Sequence, residues 1–135
     1  MRLFGDTAAW LNLYDRSAAG HAATRRACEG LKHQRLTVYV TDYVLDETLT
    51  IIQARVGHAA AVACGRFFLS SPVVRLVHVD PEQWAEAWQL FQLYDDKDFS
   101  FTDCTSFVVM HRHKLVEAFT VDHHFEQMGF RLWPR

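Results

Sequence analysis

The chain has 135 residues, of which 50% are hydrophobic and 22% charged, and its formal net charge is −2. That size and composition fit one globular domain with one core, and no apolar stretch approaches the ~20 residues a membrane span needs. An acidic balance disfavours a broadly basic nucleic-acid face, but if four of the 16 acidic residues form one metal-neutralised cluster, the remainder is 14 basic against 12 acidic and local patches outweigh the sum.

There is no internal repeat, low-complexity segment or Pro/Gly/Ser-rich linker, so residues 1–135 read as a single domain of alternating elements. The opening "MRLFGD" is a short strand, and Asp6 breaks it where a signal peptide would continue its apolar run, which predicts a cytoplasmic protein. A helix starts at Thr7, and helical composition fills 18–33. "LTVYVT" at 36–41 is β-branched and aromatic, as a strand requires. From Asp42, the residues Val44, Leu45, Thr48, Leu49, Ile52 and Val56 recur at helical spacing, and a further helix follows Gly57.

"PVVRLVHV" is the third strand. Asp80, Pro81 and Gln83 then stand as a capping Asp, a proline at the first helical position and a Gln three after the cap. The spacing of Trp84, Ala87, Trp88, Leu90 and Phe91 places them on the inward face of this helix, as core. The aspartate-rich loop "DDKDFS" follows, and Ser100 caps a helix reaching about His113. "VEAFTV" and "FRLW" complete the strands. Strands separated by helices require right-handed crossovers, hence an α/β, three-layer fold with a mostly parallel central sheet covered on both faces.

In a parallel sheet Asp6 and Asp122, each ending a strand, stand at the same carboxyl edge, where open α/β folds bind ligands. Asp103 begins a helix at that edge, and Glu47 is the first acid on its helix able to point back toward the strand ends. Each has a plainer reading: Asp6 and Asp122 as helix caps, Asp103 as the acid of a Ser100 capping box, Glu47 as a solvated helix residue. Convergence of four carboxylates needs an offsetting cation, however, and oxygen ligation selects Mg2+ or Mn2+ over zinc. Such an ion suits phosphodiester hydrolysis.

Cys28, Cys64 and Cys104 are an odd number without C-x-x-C spacing, which speaks against a disulfide framework or a zinc site and for buried apolar residues. His111 and His113 are two apart on a helix and chelate poorly. His124 reads as structural and His123 as a phosphate neighbour, while Arg112, Lys114, Lys97 and Arg131 are candidates for RNA backbone contacts.

The stretches "FGDTAAW", "TDYVLDETLTII", "DKDFSFTDCTSFVVM" and "AFTVDHHFEQMGFRL" resemble the four acidic motifs of PIN-domain nucleases, in particular the toxin ribonucleases of the VapC kind. The resemblance runs from Leu3 to Leu132. It implies that Asp6, Glu47, Asp103 and Asp122 are the catalytic metal ligands and that the Thr7 hydroxyl supports the site; Asp98 matches a frequent but less constant acidic position, and Thr7, Asp98 and, by its charge, Arg112 are the candidates for contact with substrate. It further implies a Mg2+- or Mn2+-dependent endoribonuclease leaving 5′-phosphate ends, commonly a homodimer and held inactive by an antitoxin protein. The alternative is a non-catalytic module binding RNA or protein on the same fold. A signalling receiver domain needs an acidic pair after strand one, and "FGDTAAW" supplies a single acid.

Overall fold

The computed structural model describes all 135 residues, Met1–Arg135. Five strands, β1 (Arg2–Gly5), β2 (Thr37–Thr41), β3 (Val74–Val77), β4 (Glu117–Phe119) and β5 (Arg131–Trp133), form one sheet in the order β3-β2-β1-β4-β5. Every pairing is parallel. The expected α/β fold with a parallel sheet between helices is therefore the one observed. The strands are shorter than their sequence signals, however, and β4 stops at Phe119, so Asp122 lies three residues beyond it rather than at its end.

The helices are α1 (Thr7–Tyr14), α2 (His21–Glu29), α3 (Asp42–Arg55), α4 (His58–Ser70), α5 (Pro81–Leu93), α6 (Phe101–Arg112) and the short α7 (His124–Gln127). None is long and apolar enough to cross a membrane. Helix α2 occupies only part of the predicted 18–33 stretch, which begins and ends in turns. The caps follow the sequence closely. Asp80 accepts from the Gln83 N–H and the Gln83 side chain accepts from the Asp80 N–H, and Thr41 caps α3 through the Val44 N–H.

Alternation along the strands sends Leu3 and Val38 to one face, where Trp10 of α1 packs edge-on against Phe68 of α4 and Phe119 of β4. It sends Phe4 and Tyr39 to the other, where Phe4 and Phe107 meet Phe125 of α7 and Tyr39 meets His113 at the end of α6. Twenty-four buried hydrophobic residues form one core cluster. Cys64 and Cys104 are buried and Cys28 half-buried, all as free thiols, and burial pushes Cys64 up to about 12 and Cys104 up to about 11.

Helix α5 departs from expectation. Its buried stripe is Gln83 and Ala87, with Leu90 half-buried, whereas Trp84, Trp88 and Phe91 are 44%, 46% and 40% exposed. Each aromatic stands one residue, about 100° of helix, past its buried neighbour. They form a surface ladder that continues onto Phe101 of α6, with ring centroids 5.3 to 6.3 Å apart.

Candidate active site

Strand β1 is central, and the chain returns on its two sides through β2 and β4, so the β1/β4 junction is where the strand order reverses. In doubly wound sheets the crevice beyond the strand ends at that junction is the binding position. Asp6 follows β1 there, with its N–H bonded to the Phe119 carbonyl of β4 at 3.0 Å. Gly5 is required beside it, because a Cβ at that position would stand 2.6 Å from the Trp10 ring.

Asp6 is 4% exposed. Its Oδ2 accepts from Thr120 Oγ1 at 2.8 Å, and the same hydroxyl oxygen accepts from the Asp122 N–H at 3.0 Å. Burial, with added repulsion from Asp103 and Asp122, raises the Asp6 carboxyl from 3.8 to about 7 despite the Thr120 bond. Asp103 is raised as well, first by burial and then by Asp122, against the opposing help of the Ser100 N–H and His124.

Asp103 combines both roles weighed for it. Its Oδ2 accepts from the Ser100 N–H at 3.0 Å while its own N–H donates to Ser100 Oγ at 2.9 Å, a reciprocal capping box. The same Oδ2 lies 3.0 Å from His124 Nδ1, which is also 3.3 Å from Asp122 Oδ1. Asp103, Asp122 and His124 each offer a ligand atom within 4.8 Å of the others. A lone pair on Nδ1 aimed at two carboxylate oxygens would be repelled, so Nδ1 carries the proton. His124 is then a hydrogen-bond donor that holds the two carboxylates together, and the ligand atoms that the acids themselves offer are oxygens.

Glu47 is half-buried on α3 and makes no hydrogen bond or ion pair with the other three. Tyr43, one turn earlier on the same helical face, meets Phe101 in the first turn of α6 with centroids 6.0 Å apart, which turns that face of α3 toward Asp103. Thr7 is buried and its Oγ1 has no hydrogen-bond partner, an unsatisfied polar atom directly beside Asp6. Asp98 is exposed in the loop before Ser100.

Other placements differ from expectation. Arg112 ends α6, nine residues and about 13 Å of helix from Asp103, and pairs with Glu86 at 3.2 Å and Glu82 at 3.6 Å. Its guanidinium lies beside the carboxylates of α5. Lys97 pairs with Asp96. His123 bonds to Glu126 at 2.7 Å and is exposed, while its neighbour His124 reaches the cluster. Thr120 is a site residue that the sequence motifs do not mark. Its one signal is position: two before Asp122, it shares a side of the strand end with it.

Comparison with known proteins accords with this geometry. A model of the PIN domain matches residues 3–131. VapC20 of Mycobacterium tuberculosis, described as a 23S rRNA-specific endonuclease, is 34% identical over 128 residues, 95% of each chain. Its crystal structure superposes with a TM-score of 0.87. A VapC ribonuclease of Archaeoglobus fulgidus is 34% identical over 116 residues, 82% of this chain and 70% of that one. VapBC2 of Rickettsia felis shares only the fold, at 12% identity and a TM-score of 0.71 over 98% of this chain and 97% of that one. With the model spanning nearly the whole sequence and the strand-end acids gathered at the switch point, this chain belongs to the PIN-domain family.

Proposed function

We propose that the protein is a divalent-metal-dependent endoribonuclease of the VapC kind, the toxin of a toxin–antitoxin pair. The observation that carries the reading is the crowding of Asp103 and Asp122 around His124 beside a buried Asp6, whose carboxyl is raised to about 7 by burial and by those two neighbours. A cation relieves that crowding, and carboxylate oxygens as its ligands fit Mg2+ or Mn2+. Asp6, Asp103 and Asp122 would hold the ion, with Glu47 completing the set from α3 and the unpartnered Thr7 hydroxyl nearby. When bound, such an ion offsets negative charge on a phosphodiester and lowers the pKa of a water.

The chain's own contribution is preorganisation. Thr120 fixes Asp6 Oδ2 and ties it to the Asp122 backbone, so both acids move as one unit. Ser100 and His124 together hold Asp103 Oδ2, leaving Oδ1 free. Carboxylates locked this way need little rearrangement to serve a transition state.

Since the M. tuberculosis relative is described as specific for 23S rRNA and as cleaving the sarcin–ricin loop, structured RNA is the substrate class, and a sarcin–ricin stem-loop is the first RNA to assay. An antitoxin would silence the site by setting an Arg or Lys among the acids, where a cation is favoured. The homodimer implied by the resemblance would find an apolar surface in Trp84, Trp88 and Phe91. The deciding experiment is cleavage of that stem-loop in a Mg2+ and Mn2+ titration. Cleavage abolished by EDTA supports the reading, cleavage undiminished by EDTA refutes it, and RNA binding without cleavage at any metal concentration favours the non-catalytic module.

A further inference from the structure

A second charged cluster lies at the opposite edge of the sheet. Arg2 Nη2 donates to Tyr39 Oη at 3.2 Å and to the His113 carbonyl at 2.7 Å, and Arg75 Nη1 donates to the same Tyr39 oxygen at 3.4 Å. Both guanidiniums stand over the Tyr39 ring, 5.2 and 5.3 Å from its centre, and the His113 ring is 5.1 Å from it. Register explains the gathering: Tyr39 pairs with Phe4 on one side and Arg75 on the other, and Arg2 is on the same face as Phe4. Lys114 follows His113 with φ 55, a backbone conformation usually given to glycine at a helix end.

This cluster lacks a counter-charge. Arg2 and Arg75 are exposed, and neither is among the arginines paired with a carboxylate, which are Arg25 and Arg112. Burial and then the two guanidiniums hold His113 below its ordinary value, so the local potential is positive. Donors also remain. Arg2 uses only Nη2 and Arg75 only Nη1, so Nε and one Nη of each fork have no protein partner. Two planar forks pinned on one aromatic ring are preorganised for tetrahedral oxyanions.

Position selects which oxyanion. Helix α6 carries Asp103 in its first turn and ends against the cluster at His113. Ten residues of helix span about 15 Å, a distance that several nucleotides of RNA backbone cover. We propose that Arg2 and Arg75, gathered around Tyr39 and His113, with Lys114 next in the chain, form a second phosphate site that grips the backbone of the RNA one helix length from the carboxylates. The choice of RNA rests on the ribonuclease reading; the anion site itself rests on the geometry alone.

The test uses the full chain in EDTA and two labelled RNAs, a stem-loop long enough to span both clusters and an oligonucleotide too short to do so. Arg75→Gln removes one 3.4 Å hydrogen bond and one guanidinium over the Tyr39 ring and is the primary variant; Arg2→Gln/Arg75→Gln is the stronger one. The double variant should bind the stem-loop roughly tenfold more weakly, with the slope of log K against log salt reduced by about 1 to 2. Binding of the short RNA, and its cleavage on adding Mg2+, should not change. In parallel, NMR of the His113 ring should show its pKa rising with inorganic phosphate at constant ionic strength, and not rising in Arg75→Gln. Unchanged stem-loop affinity and slope would overturn the site, as would equal losses on both RNAs or displacement of phosphate by a polyglutamate peptide but not by RNA. If the wild type cuts no RNA with any divalent ion yet His113 still responds to phosphate through Arg75, the ribonuclease reading falls and the anion site stands.

Discussion

The Thr120 hydroxyl donates to Asp6 Oδ2 at 2.8 Å and accepts the Asp122 N–H at 3.0 Å, so one buried oxygen links the two strand-end acids. Thr120→Val keeps the shape and deletes both bonds. Leaving the half-buried Asp122 N–H unpaired costs at most the roughly 1–3 kcal/mol of a buried one, and the Asp6 carboxyl, without its donor, should rise further above 7. Thermal unfolding in EDTA should show the loss. The acid limb of the cleavage–pH profile should move to higher pH, since an ionised Asp6 is then harder to obtain. A variant with wild-type stability and an unmoved profile would mean that the Thr120 link is inert.

Asp6 also predicts how metal-free stability depends on pH. Its carboxyl is raised in the folded state from 3.8 to about 7. Between those values the folded protein binds more protons than the unfolded chain, so stability is fully present below 3.8, falls as pH rises, and levels off above 7. At 1.36 kcal/mol per pH unit the loss is about 4 kcal/mol. Urea unfolding across this range should show the decline in wild type and a much flatter line in Asp6→Asn. Parallel lines for the two proteins would remove Asp6 as its source.

Much of the fold is legible in the sequence because the signals are local. β-branched runs gave the strands, Asp80-Pro81 and Ser100 gave helix starts, and the rule that parallel strands end together put Asp6 and Asp122 at one edge. What failed was information the local pattern does not carry. Helical spacing puts Trp84, Trp88 and Phe91 on one face, but only the neighbouring elements decide that Ala87 and Gln83 are the buried stripe. Likewise, adjacent His123 and His124 differ only in direction, which the α7 turn sets. Nor does the local pattern show that α5 sets Glu82 and Glu86 beside Arg112.

The exposed ladder on α5 carries its own expectation. With Trp84 and Trp88 each more than two-fifths exposed, Trp84→Gln/Trp88→Gln should cost the monomer only about 1 kcal/mol, far below the 3–5 kcal/mol of a buried Trp truncation. If the face joins two copies, light scattering should find a wild-type dimer and a variant monomer. A variant that remains dimeric would assign the dimer to another surface.

Ser100 and Asp103 separate capping from chemistry, because each caps the other while only Asp103 also faces the acids. Ser100→Ala should cost about 1 kcal/mol, the usual loss of an N-cap, and leave RNA cleavage and the response to Mg2+ largely intact. Asp103→Asn should behave in the opposite way. Asn retains an oxygen for the Ser100 N–H, and although it forfeits about 0.3–1 kcal/mol of helix-dipole interaction, it also removes a charge that burial and Asp122 disfavour. In EDTA at pH 8 it should therefore be at least as stable as wild type. Adding Mg2+ at a hundred times Kd should stabilise wild type by about 2.7 kcal/mol, Asp103→Asn by much less, and cleavage by the variant should be lost. Thermal unfolding of the three proteins in EDTA and in a Mg2+ series, with cleavage assayed alongside, reads all of this. An Asp103→Asn protein that is destabilised like Ser100→Ala, still cleaves RNA and still responds to Mg2+ would reduce Asp103 to a helix cap and leave the proposed metal site without its central ligand.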